Sequence, residues 1–304
     1  MLTAKKKILI NPKFKELWMQ RLFFVISSTS IFILLLIMIF LFAEGIPVLK
    51  KVSFVDFVFG KYWYPTSEPP AFGIFPLIAA SVSVTVLSAI ISIPLGVMTA
   101  IYLAEIASFK VHEIIKPMVE LLAAIPSVVI GFFGMVIVSP FLQDVFDVST
   151  GLNLLNAAMM LGFMSIPTIC SISEDAISSV PGAMREASFA LGATHLETIL
   201  RVVLPASLSG IITSIILGMS RAIGETMVVL MVAGGAAMIP SSIFDPVRPM
   251  PASIAAEMAE APFRGDHYYA LFATGIVLFC FTLMFNLIAD HIAYKYKQTG
   301  DSTL

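Results

Sequence analysis

Charge is what this sequence has least of. Only 12% of its 304 residues are Asp, Glu, Lys or Arg, against about 25% in an ordinary soluble domain. Too few charges remain to solvate the outside of a water-soluble globule. With 58% apolar residues and a mean hydropathy of +0.96, the composition predicts an all-α polytopic membrane protein. Cysteine is scarce too. Cys170 and Cys280 lie inside apolar runs and form no C-x-x-C pair, so each reads as a small buried apolar residue. No Gly-x-x-x-x-Gly-Lys-Ser/Thr occurs, so no P-loop for nucleotide hydrolysis is expected in this sequence. The four histidines, His112, His195, His267 and His291, fall in loops or at span ends and read as surface residues. No His/Asp/Glu cluster has metal-ligand spacing and no Ser–His pair marks a membrane-embedded enzyme, so no metal and no cofactor is expected.

Hydropathy divides the chain into six spans of the length a bilayer requires, about 20 residues each. They run roughly over Leu22–Phe42, Phe72–Ala104, Pro117–Leu142, Leu152–Ser173, Ser209–Gly235 and Tyr268–Ala289. Pro126, Gly131 and Gly134 interrupt the third and Pro167 the fourth, where kinks need neighbours or water to satisfy freed backbone groups. The first run is too long for a signal-peptide core. It continues as Ala43-Glu44-Gly45-Ile46-Pro47 without a small-x-small cleavage site, so it reads as a retained anchor. The predicted organisation is a tail over 1–21, a first helix and outer loop over 22–71, a five-helix core over 72–292 containing a loop at 181–205, and a tail over 293–304.

Lys and Arg set the orientation. The N-terminal tail carries Lys5, Lys6, Lys7, Lys13, Lys15 and Arg21. With that tail in the cytoplasm, alternation through six spans puts twelve basic residues inside and five outside. The bias predicts cytoplasmic termini and outward-facing loops at 43–71 and 237–267. In the second of these, a short helix is expected from an N-cap at Ser253 to about Glu260.

One span carries charge near its middle. Arg221 and Glu225 lie within Ser209–Gly235, at a depth where a charge costs from about 2.5 kcal/mol upward. Read as one helix, their spacing of four places them on one face, with Ser214, Gly218 and Val228 close to it. Two readings stand. The pair locks helix packing, or Arg221 contacts a passing anion. A guanidinium presents a planar fork to two oxyanion oxygens and stays charged at any relevant pH. Glu225 then holds it or takes it back on release, and Thr226 lines the same route. Ser127 after Pro126, and Ser165 before Pro167, mark places where a broken helix turns N–H groups toward an anion, unless each is a plain proline kink.

The segment 181–205 is too polar and too long for a turn. Pro181 suits a helix start, and Gly192 suits a left-handed C-terminus. Thr194-His195-Leu196-Glu197 reads as a capping box opening a second helix, and Pro205 closes the surface element. The result is a preformed helix–turn–helix knob on the cytoplasmic face.

Glu186-Ala187-Ser188, Gly192 and Val202-Val203-Leu204-Pro205 resemble the Glu-Ala-Ala loop of ABC importer permeases, with Ser188 and Val202 as conservative departures. Glu120-Leu121-Leu122-Ala123-Ala124-Ile125-Pro126-Ser127-Val128-Val129 and Arg221-Ala222-Ile223-Gly224-Glu225-Thr226-Met227 are similar to the phosphate-specific importer permeases, and Met227 after Glu225-Thr226 together with the segment Ile254–Tyr269 resembles the PstC type more than the PstA type. That likeness covers the chain from about residue 75. It implies the type I ABC importer permease fold in a bacterial inner membrane. It also implies a second related permease of the PstA type, two ATPase subunits docked on Glu186, Ala187, Gly192, Leu204 and Pro205, and a periplasmic protein that delivers inorganic phosphate. Sulfate or molybdate permeases and an ion channel are the competing classes. A lone Arg–Glu pair makes no ring of like charge, and a channel leaves the knob without a purpose.

Overall fold

The computed structural model describes residues 12–295; Lys5, Lys6, Lys7 and the stretch 296–304 lie outside it. Among the described residues, six helices are long and apolar enough to cross a membrane. Helix α1 (Pro12–Gly45) begins ten residues before the hydropathy edge at Leu22 and ends in a 3-10 turn, Ile46–Lys50. A short helix α2 (Phe54–Phe59) and two strands, β1 (Trp63–Tyr64) and β2 (Ala71–Phe72), fold back over that end of the bundle; the strands pair antiparallel with Trp63 opposite Phe72. Helix α3 (Phe75–Ile101) returns across the layer and ends in a π-helical segment, Tyr102–Ile106.

The third span starts later than its hydropathy indicates. Residues Pro117–Ala124 belong to a separate helix, α4 (Phe109–Ala124), which is amphipathic and ends before Pro126. Proline disfavours a helical residue before it, so the chain breaks at Ile125–Pro126. It restarts as α5 (Ser127–Phe133), a π segment Gly134–Val138 and α6 (Ser139–Phe146), which together form the span.

Helix α7 (Leu154–Ser178) is opened by the Asn153 side chain, which accepts from the Asn156 N–H at 3.0 Å. It runs through Pro167 without interruption, so of the two alternatives there the broken helix is absent. After α8 (Gly182–Ala190) and α9 (His195–Thr198), a π segment Ile199–Val203 carries the chain into α10 (Leu204–Ile223). Pro205 therefore stops nothing. It stands where the π segment gives way to α10, and the wider π turn accommodates a residue without an N–H inside a continuing helix. A short helix α11 (Met227–Val232) follows, then α12 (Met250–Glu257) and α13 (Asp266–Lys295).

Helices α3, α7 and α10 form the centre, with α7 parallel to α3 and antiparallel to α10. Small residues allow their close approach, as is usual between membrane helices. A methyl added at Gly96 would stand 2.9 Å from Ile169, and one added at Gly218 would stand 2.8 Å from the same side chain. The buried residues form three clusters along the bundle. One, at the loop end, contains Ala100, Leu103, Cys170, Ile177, Val203 and Ile211. The middle one contains Val84, Ile130, Leu161, Val228 and Val232. The far one contains Phe57, Trp63, Phe72, Leu77, Met250 and Leu271. Helix α1 packs on α13, with Phe40 edge-on to Phe272. Its apolar window has no buried residue, a surface that only lipid solvates well. Cys170 is buried as expected, but Cys280 is exposed on α13.

The far cap is held by one carboxylate. Glu257 accepts from Trp63 Nε1 at 3.1 Å, Ser253 Oγ at 3.1 Å, His267 Nε2 at 2.8 Å and Arg248 Nη1. Arg248 Nε also donates to the Gly235 carbonyl at 2.6 Å. Ser253 is thus inside α12 rather than its N-cap; Pro249 holds that position, because Pro251 preorganises the first turn. His267 is buried, and His112 lies 3.4 Å from Glu174, so neither is the plain surface residue expected. Both are drawn inward by a carboxylate that hydropathy does not register. Replacing Glu257 with alanine strands Arg248 and the Trp63 N–H, at a cost of about 3 kcal/mol. A lowered unfolding temperature in detergent is the expected result, and an unchanged one would show that the cap does not depend on Glu257.

Candidate functional site

The fifth span is not one helix. Helix α10 ends at Ile223 with Gly224 as its cap residue, and α11 begins at Met227. Glycine in a helix interior costs about 1 kcal/mol. The restart has its own cap, because Glu225 Oε1 accepts from the backbone N–H of Met227 at 3.2 Å and Val228 at 3.5 Å. The spacing of four between Arg221 and Glu225 therefore does not put them on one helical face. Among the described residues, no ion pair joins them. The packing ion pair considered from the sequence is overturned by this geometry.

Arg221 is exposed, in the last turn of α10. Its Nη1 donates to Thr168 Oγ1 at 3.3 Å. Thr168 lies fourteen residues along α7 from Leu154 and ten before Ser178, which is about 21 Å and about 15 Å at 1.5 Å per residue. The guanidinium therefore stands near mid-depth and is open at the surface of this single chain. The residue before it, Ser220, donates through Oγ to Asn286 Oδ1 of α13 at 3.1 Å. Sequence reading missed Thr168 and Asn286, although each is a polar side chain inside an apolar span.

Ser127 is the first residue of α5, directly after the Pro126 break, and is half-buried. Helices α5 and α11 run side by side. A methyl on Gly131 would meet Met231 and the Val228 backbone, and one on Gly134 would meet Val232. Ser127 lies four residues before Gly131, and the Gly224–Thr226 turn lies just before Val228. The two breaks thus sit at one level, each about a helical turn below the α5–α11 contact. Thr226 is half-buried and its Oγ1 donates to the Gly224 carbonyl at 3.4 Å. No hydrogen bond joins Ser127 to that turn among the described residues. Beside the Pro126 break lies an apolar cavity of about 290 Å³, lined by Ile125, Val129, Phe133 and Phe163. The larger cavity, about 550 Å³, belongs to the far cap around Trp63 and Glu257.

The loop at the other end has the predicted punctuation. Pro181 is the N-cap residue of α8, and Gly192 has φ +84°. Thr194 and Glu197 form a complete capping box, with Glu197 Oε2 accepting from the Thr194 N–H at 2.9 Å. Glu186, Ala187 and Gly192 are exposed, Leu204 is half-buried and Pro205 is exposed. Leu191, which no motif singles out, is 90% exposed at the tip. Nearby, Lys116 of α4 reaches the buried Glu174 of α7 at 2.5 Å. That acceptor is the main reason the amine is held above its ordinary pKa.

Residues 92–298 match the family described as "Binding-protein-dependent transport system inner membrane component". A relative in Bacillus subtilis (strain 168), named probable ABC transporter permease protein YqgH, is 37% identical over 86% of this chain and 85% of its own length. The phosphate transport system permease protein PstC of Mesorhizobium japonicum is 34% identical over 86% of this chain and 84% of its own. The protein of the same name in Haemophilus influenzae is 29% identical over 98% and 99%. Among solved structures, a bacterial alginate ABC transporter in complex with alginate pentasaccharide-bound periplasmic protein superposes with a TM-score of 0.61 at 17% identity. That match covers 95% of this chain and 98% of the other. The MetNI methionine ABC transporter, in an inward-facing conformation, superposes at 0.55 with 20% identity, over 74% and 95%. At these identities the structural matches speak for the fold.

Proposed function

We propose that this chain, which belongs to the family of inner membrane components of binding-protein-dependent transport systems, is the PstC-type permease subunit of an ATP-driven importer of inorganic phosphate. The names of the PstC relatives support the substrate, while the YqgH relative's name specifies none. The observation that carries the reading is Arg221: a guanidinium at mid-depth, open at the chain's surface and steadied by a neutral hydroxyl. A carboxylate partner would compete with the anion, whereas Thr168 leaves the fork's charge free. Since a transport site must release as well as bind, one weak hydroxyl contact suits an arginine that alternates between anion and resting state.

In this reading Arg221 meets the phosphate, and Ser127 and Thr226 line the route at the two helix breaks. Glu225 acts indirectly by capping α11 and so fixing the turn after Arg221. The exposed face at that level receives the second, PstA-type permease. The 181–205 loop lies in the cytoplasm, as do both termini, and Glu186, Ala187, Gly192, Leu204 and Pro205 form its contact with one of two ATPase subunits. The cap built on Glu257 then faces a periplasmic phosphate-binding protein. Labelled phosphate and labelled sulfate, offered to membranes containing the full set of subunits, test the substrate. ATP-dependent accumulation of phosphate alone is expected. Accumulation of sulfate without phosphate would reassign the importer to another oxyanion, and ATP-independent flux would point to a channel.

A further inference from the structure

We propose that Arg185 is a positioning residue that clamps the coupling helix to the ends of the second and fourth spans, so that loop and spans move as one body. The inference rests on the reading of the 181–205 loop as the ATPase-coupling element. Arg185 stands on α8, directly before Glu186. Its Nη2 and Nε donate to Glu105 Oε1 at 2.7 Å and 3.2 Å. Its Nη1 donates to the Val180 carbonyl at 2.5 Å, and Nη2 also donates to the Ile177 carbonyl at 3.0 Å. Glu105 lies in the π segment that ends the second span, and Ile177 lies in the last turn of α7. One guanidinium thus gathers three elements.

The chemistry of each partner makes this more than an incidental contact. The Glu105 side chain is 6% exposed and that of Arg185 is 22% exposed. A carboxylate so enclosed requires a compensating cation. The final carbonyls of a helix lack intrahelical donors, and a cation there also complements the helix dipole. Arginine alone can serve the carboxylate and two carbonyls together, because its five N–H groups diverge from one plane. The rest of α8 is free to face a partner: Met184, Glu186, Ala187 and Phe189 are exposed. Ser188 Oγ, 2.9 Å from Thr198 Oγ1, joins only the two halves of the loop. Among the described residues, every side-chain hydrogen bond from α8 to the second and fourth spans comes from Arg185. This side chain is therefore the polar link that ties α8 to those spans, beside the chain connection and the apolar cluster at the loop end.

The test uses the whole complex, with ATP hydrolysed and phosphate transported measured together. Arg185→Ala should leave ATPase attachment intact while uptake per ATP falls by about tenfold or more. Arg185→Lys keeps the charge but cannot reach all three acceptors, so its ratio should lie between. As a check independent of folding, Glu105→Cys with Arg185→Cys, in a chain with Cys170→Ser and Cys280→Ser, should be uncoupled until a short bifunctional thiol reagent joins the two cysteines. An unchanged ratio in Arg185→Ala, or no recovery on linking, would overturn the clamp. If Glu186→Ala and Gly192→Val leave attachment and coupling intact, the loop reading itself fails. If those variants uncouple and Arg185→Ala does not, only the clamp fails.

Discussion

Arg221→Gln abolishes phosphate uptake while the assembled complex still purifies. Glutamine keeps length and a donor but loses the charge and the second prong of the fork. Losing a charge-assisted pair of hydrogen bonds costs about 3 kcal/mol, or roughly a hundredfold in an equilibrium. Assembly should survive because the side chain is exposed and its polar contact within the chain is a single 3.3 Å bond to Thr168. Arg221→Lys retains the charge as a point rather than a fork and should fall between the two. Uptake at the wild-type rate in Arg221→Gln membranes would remove Arg221 from the route. Thr168→Val serves as a milder companion, with a reduced rate and normal assembly, since it frees the guanidinium without discharging it.

Leu191→Asp strips the ATPase subunits from the complex. The tip leucine is 90% exposed in this chain. Full burial of such a side chain in a partner is worth about 1.5–3 kcal/mol, and an aspartate in the same apolar groove adds a desolvation cost. Recovery of ATPase on purification should fall at least about tenfold. Gly192→Val acts by a different route. Nothing lies within 4 Å of a side chain added there, but the residue sits at φ +84°. A left-handed conformation costs a non-glycine residue about 1–2 kcal/mol, and a β-branched one suffers most. The turn between α8 and α9 then opens, and attachment or coupling weakens with it. Glu186→Ala, on the exposed face of α8, should weaken attachment as well. Full recovery of active ATPase with Leu191→Asp, Gly192→Val and Glu186→Ala would refute the docking role.

Much of this was legible in the residues because the signals were local. A capping box needs only Thr194 and Glu197, and a left-handed helix end needs only Gly192; both stand where spacing put them. Six spans followed from length and apolarity. The failures were of continuity. Hydropathy cannot tell a helix from two helices joined at depth, so it runs straight through Gly224 and sets Arg221 on one face with Glu225. The reverse error occurred at Pro205, where proline stands in a helix that continues. There the π turn Ile199–Val203 just before it accommodates the absent N–H. Thr168, Asn286 and Arg185 escaped notice because their meaning lies in contacts between residues 53, 66 and 80 positions apart. No local pattern encodes such a contact.

The central claim, that an oxyanion passes the exposed arginine at mid-depth, is tested most directly one turn away. Gly224 has φ −91°, and a side chain there would meet nothing closer than 3.8 Å. Gly224→Cys, with Cys170→Ser and Cys280→Ser, therefore places a thiol at the break without strain. In the complete complex during turnover, a negatively charged methanethiosulfonate reagent should modify this thiol and stop uptake, and excess phosphate should slow the modification. A thiol that stays unmodified from both sides of the membrane would mean that no anion reaches Arg221.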